Sequence, residues 1–142
     1  NLMKVFISQN SNIMVSTQEA ENQVIDIRQL KEKAKEFVLN PFDLETLPEK
    51  KVKEIELEDG SKWSYPVSEG VISLQNDRGT SYEAYIMVQN ELTRAFNEVR
   101  NELAKSKYGM EFTDLGEAAR KSITDAVPLK ISEAEPRNVG GK

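Results

Sequence analysis

Three stretches of this sequence together predict an α/β chain of the α+β two-layer kind, a mixed β-sheet with helices packed on one face. In residues 71–96 the apolar run Val71, Ile72 and Leu74 passes through a polar turn at Asn76, Asp77, Arg78 and Gly79 into a long amphipathic stretch. Residues 4–16 hold two short apolar runs around Gln9, Asn10, Ser11 and Asn12, the pattern of a hairpin. Residues 25–38 repeat apolar positions at steps of three and four, the period of a helix with one buried face. The element order is β-β-α-(β-hairpin insert)-β-α-(short α)-β.

Along the chain, residues 5–8 and 13–16 read as the two strands of that hairpin. Asp26 is then an N-cap with Gln29 at the third helical position, and Ile27, Leu30, Ala34, Phe37 and Val38 share one face. Asn40 ends the helix, because Pro41 disfavours a helical residue ahead of it. Residues 41–50, with two prolines, read as a loop. Beyond them Ile55 and Leu57 alternate with glutamates, and Trp63, Tyr65 and Val67 alternate with polar residues, on either side of Asp59 and Gly60. A two-residue turn would put Trp63 and Leu57 on opposite faces. A three-residue loop over residues 58–60, with Gly60 left-handed, pairs Ile55 with Trp63 and joins the apolar sides; this is the register expected.

Thr80 lies three residues before Glu83, the spacing of a capping box, so a helix is expected from Ser81. Tyr85, Val88, Leu92, Phe96, Val99 and Leu103 form its stripe, and Gly109 is its stop. Running to Lys107 it is about 40 Å long at about 1.5 Å per residue, and its C-terminal half is expected to project beyond the sheet or to pack on a partner. Asp114 and Glu117 make another capping box before a short helix. Val127, Leu129 and Ile131 alternate with polar residues as a last strand, in which Pro128 belongs at the first position or on an edge. The 142 residues predict one domain over residues 1–132, with the inserted hairpin at about 41–69, and a flexible tail over residues 133–142.

The net charge of -5 comes from interspersed residues, with no basic patch that would indicate nucleic acid. No stretch approaches the roughly 18 apolar residues of a membrane span. Histidine and cysteine are both absent, which removes the commonest general base, the thiol nucleophile and the usual soft-metal ligands. No catalytic residue, cofactor or metal is expected. Asp77 and Arg78 are the best candidate site, since α/β folds often bind ligands between a strand end and a helix start; an ordinary turn is the stronger reading of the same residues. Glu54, Glu56, Glu58 and Asp59 alternate along a strand and read as a solvated face rather than a calcium loop. Trp63 and Tyr65 read as a small satellite core, with a partner platform as the alternative.

KVFISQNSNIMVS at residues 4–16, IDIRQLKEKAKEFV at 25–38, VISLQNDRGTSYEAYIMVQNELTRAF at 71–96 and VPLKISEAEP at 127–136 together resemble the periplasmic domain of the ExbD/TolR family of biopolymer transport proteins, most nearly its Bacteroidetes-type members. Asp77 and Tyr82 match the family's pattern of a strand ending at an aspartate with a tyrosine five residues on. The resemblance implies a single-pass inner-membrane protein with this domain in the periplasm. Its partners would be an ExbB-like proton channel, a TonB-like transducer and a second copy of itself, and it would couple the proton motive force to outer-membrane transport. Asp77, Arg78, Tyr82 and Trp63 are the expected partner-binding residues. The chain departs from the shorter family pattern in its insert at about 41–69 and in its extended second helix with an added element. The family's N-terminal transmembrane helix, with the membrane aspartate tied to proton passage, is not in this sequence. The runner-up is a stand-alone soluble binding module; a carboxylate-based hydrolase ranks below it.

Overall fold

The computed structural model describes residues 1–136. Its architecture is mixed α/β, three α-helices with a five-stranded mixed sheet and a separate two-stranded one. Strands β1 (Leu2–Ile7) and β2 (Ile13–Ser16) make the expected hairpin, with Ile7 opposite Ile13. A strand not foreseen, β3 (Gln23–Ile25), pairs antiparallel with β2. Helix α1 (Ile27–Leu39) opens on the expected capping box: Asp26 Oδ1 accepts from the Arg28 amide at 2.8 Å, and the Asp26 amide donates to Gln29 Oε1 at 2.9 Å.

Strands β4 (Lys50–Glu56) and β5 (Lys62–Ser68) form the inserted hairpin, with Ile55 opposite Trp63 and Gly60 at φ 86°, as the three-residue loop requires. Strand β6 (Val71–Asn76) returns to the main sheet parallel to β1. Helix α2 (Tyr82–Tyr108) comes next, ending at Gly109 with φ 73°. A 3-10 turn (Phe112–Asp114), helix α3 (Glu117–Ala126) and strand β7 (Ile131–Glu133) follow as the last elements among the described residues. The order across the main sheet is β3-β2-β1-β6-β7, with β7 parallel to β6.

Alternation along the strands sends Met3, Val5, Ile7, Ile13, Val15, Ile72 and Leu74 into one core with Leu30, Ala34 and Phe37 of α1 and Val88, Leu92 and Phe96 of α2. Each of these side chains larger than alanine contributes about 1.5–3 kcal/mol by leaving water. A second cluster, Ala104, Leu115 and Ile123, lies around the C-terminal half of α2, with Trp63, Leu103, Tyr108 and Phe112 packed against it. The C-terminal half of α2 thus extends past the five-stranded sheet, as expected, and its apolar side is covered there by Trp63 of the hairpin and by α3.

Four local expectations are corrected. Thr80 does not cap α2: its hydroxyl donates to the carbonyls of Ile7 and Ser8, at 2.9 and 3.0 Å, so the cap passes to Ser81, whose oxygen takes the Ala84 amide at 3.1 Å. The helix starts one residue later than expected, at Tyr82. Asp114 is held in the 3-10 turn, and α3 starts after Gly116 without a side-chain cap. Val127 caps α3, its amide bonded to the Ile123 carbonyl at 2.9 Å, so the last strand starts four residues further on, at Ile131, leaving Pro128 outside it. Glu133 belongs to that strand rather than to a tail; the Ala134 amide bonds the Leu74 carbonyl at 2.9 Å, and Gln75 Nε2 bonds the Glu135 carbonyl at 2.8 Å. Residues 137–142 of the expected tail lie outside the described residues.

Candidate functional site

Strand β6 ends in the polar turn at residues 76–79. The Asp77 amide donates to the Ile7 carbonyl at 2.9 Å, which continues the parallel ladder by one bond. Its Oδ1 accepts from the Gly79 amide at 3.1 Å, and its carbonyl accepts from Thr80 N at 2.9 Å and from Asn76 Nδ2 at 2.9 Å. Asp77 is 7% exposed. A carboxylate this buried, accepting a backbone amide two residues on, is the side chain of an Asx turn; it aims the chain from sheet to helix. Gln9 lies over the same turn, so close that a Cβ at Gly79 would collide with its side-chain amide. Asp77 is therefore a positioning residue for the start of α2.

The residues it positions are exposed. Arg78 stands in solvent with no carboxylate within ion-pair distance among the described residues. Tyr82, the first residue of α2, is 78% exposed. Its ring is held outward on the first turn of a well-packed helix, where burial against another surface would take about 150–250 Å² out of water.

Trp63 does not join this group. Its ring lies 4.6 Å from Lys107 Nζ and 5.0 Å from the ring of Tyr65. Lys107 and Tyr82 occupy opposite ends of α2, about 37 Å apart at about 1.5 Å per residue. The half-buried indole bridges the main core and the cluster under α3, which makes it a packing residue of the insert. Glu54, Glu56, Glu58 and Asp59 do not converge on any common point: Glu54, Glu56 and Asp59 are exposed and Glu58 lies in the loop beside them. Asp59 stiffens its loop by accepting from the Ser61 amide at 2.9 Å and hydroxyl at 2.6 Å, and the hydroxyl bond is the main reason its carboxyl is held below the ordinary value of 3.8. Among the described residues no group of three or more acidic side chains converges as a metal site, and no helix is long and apolar enough to cross a membrane.

One polar cluster has no signature in the sequence. The Glu133 carboxylate of β7 takes hydrogen bonds from the Tyr85 hydroxyl and, at 3.0 Å, from Gln89 Nε2. It ties the sheet's last strand to the first half of α2. No periodicity links residues 85, 89 and 133, and only the parallel addition of β7 to β6 brings them together. The sheet has two edges, β3 with Val24 at 65% exposure and β7. No family model, curated protein or solved structure matches this chain.

Proposed function

We propose that this chain is the periplasmic domain of an inner-membrane energy-transduction protein of the ExbD/TolR type. It couples the proton motive force to outer-membrane transport together with an ExbB-like proton channel, a TonB-like transducer and a second copy of itself. The observation that carries the reading is the pairing of the buried Asp77, which holds the strand-to-helix turn, with the outward Arg78 and Tyr82 beside it. That pairing sits on the segment in which the resemblance is strongest. In this reading Arg78 and Tyr82 touch the transducer, Asp77 positions them, and an extended partner segment adds to the exposed edge of β3, where backbone donors and acceptors stand free for strand addition. Force is transmitted by the domain and no bond of a substrate is broken. Anchoring and proton passage belong to a membrane helix upstream of Asn1.

The test is titration of a labelled TonB-like periplasmic segment against the wild-type domain and the Arg78→Glu and Tyr82→Ala variants. Both side chains are exposed, so melting temperature should be unchanged while affinity falls about tenfold, the effect of losing one anchor of about 1.4 kcal/mol. Equal affinity in all three proteins would take the turn out of the interface. The coding sequence upstream should carry an apolar span of about 20 residues with one aspartate, and a start codon directly before Asn1 would remove the membrane assignment.

A further inference from the structure

We propose that the cavity enclosed by the end of α1, the β4–β5 hairpin, α2 and the link from α3 to β7 is a binding site for a short-chain aliphatic monocarboxylate. The site is independent of the proposed transducer contact, and it lies away from Tyr82.

The cavity holds about 100 Å³ between Val38, Tyr65, Phe96, Val99, Ala126 and Val127. That is well above the roughly 10–15 Å³ one water needs on this measure, and the inner walls are largely hydrocarbon. An apolar chain of about four to six carbons fills such a space more favourably, at about 0.8 kcal/mol per buried methylene.

The polar groups of the wall say what the head should be. Lys130 Nζ donates to the Ser68 carbonyl at 3.1 Å, and its nearest carboxylate, Glu69, is 3.9 Å away. An ammonium has three donors, so capacity is left over. Lys50 reaches only Asp43, at 3.2 Å, and that carboxylate is 81% exposed and easily displaced. The Tyr65 hydroxyl makes no hydrogen bond among the described residues. Burial pushes its pKa up, so it stays protonated and remains a donor. The two ammonium groups can only donate and the phenol can donate as well, so a group that accepts from all three, an ionised carboxylate, suits this end of the cavity.

Trp63 supplies the readout, since it is the only tryptophan and its ring is 5.0 Å from Tyr65. Hexanoate, hexanol and acetate are titrated against the whole chain while its emission is followed. Hexanoate should give a saturable change, with hexanol and acetate each at least tenfold weaker because one lacks the head and the other the tail. Lys130→Met and Tyr65→Phe should each weaken hexanoate at least fivefold, and Ala126→Leu, which fills the cavity, should abolish the response. No saturable change with hexanoate, hexanol binding as well as hexanoate, or full binding in a folded Ala126→Leu variant each overturns the proposal. Should Ala126→Leu fail to fold, NMR contacts between hexanoate methylenes and the Val99 and Val127 methyls of the wild type decide it, and their absence at saturation overturns it.

Discussion

Asn40 fastens the end of α1 to the loop beyond it. Its backbone is left-handed, φ 39° and ψ 62°, in a residue only 3% exposed. That conformation costs a residue other than glycine about 1–2 kcal/mol. The cost is offset by the side-chain amide, which accepts from the Leu44 amide at 2.8 Å and donates to the carbonyls of Leu44 and Pro48, both at 3.1 Å. Asn40→Ala should lower unfolding free energy by about 3 kcal/mol, because it keeps the strain and strips three bonds, whereas Asn40→Gly should cost about 1 kcal/mol less than that by relieving the strain. Urea titrations of both check it, and equal losses would refute the strain contribution. The helix stop itself was legible, through Pro41. The clamp was not, because its partners lie four and eight residues ahead in a loop with no period to read. Thr80 and Ser81 make the same point: two adjacent hydroxyls both suit a cap, and the choice is made by the carbonyls of Ile7 and Ser8, more than seventy residues away.

At the scale of elements, what was readable had a pattern of its own, and what was missed is defined by a neighbour. The Ile55 and Trp63 pairing came from loop length and one glycine, whereas the three-residue strands β3 and β7 have too few residues to alternate and exist through β2 and β6. Two inter-element contacts contribute, with opposite signs, to how stability depends on pH. Between α1 and α2, Lys31 and then Lys35 hold the Glu98 carboxyl below its ordinary value of 4.5, at 2.6 and 3.1 Å. A lowered carboxyl contributes stability above that value and loses it as pH falls. Glu98→Gln should therefore flatten the acid limb of a stability profile, by less than about 1 kcal/mol since the pair is partly solvated. Between α2 and β7 the sign is opposite. Burial, and then the bond to Glu133, push Tyr85 up from 10.0 to about 12. The contribution is intact below pH 10 and is lost as pH rises toward 12, because the unfolded chain ionises first. Tyr85→Phe should remove that alkaline slope, followed as melting temperature from about pH 9 to 12, and an unchanged slope would assign it to another group.

Over the whole molecule, the β4–β5 hairpin and the C-terminal half of α2 with α3 pack on each other. Leu103 and Ala104 of α2 and Leu115 and Ile123 beside them meet Trp63 of the hairpin, and Lys107 sits over its ring. An amphipathic helix of 27 residues needs cover along its whole apolar stripe, and the five-stranded sheet supplies it only for the first part. Each element thus covers apolar surface of the other. The Glu69 amide bonds the Glu49 carbonyl at 2.9 Å, so residues 50–68 can be replaced by a short glycine-serine bridge without pulling the main sheet apart. That variant loses the burial of Ile55 and Val67, about 3–6 kcal/mol by their size. Hydrogen exchange should show residues 99–108 and 117–126 losing protection at least tenfold, while β1, β2 and β6 keep theirs and the affinity for a transducer segment at Tyr82 stays within twofold. If protection is kept and the affinity collapses instead, the hairpin is the recognition surface and the mutual-support account fails.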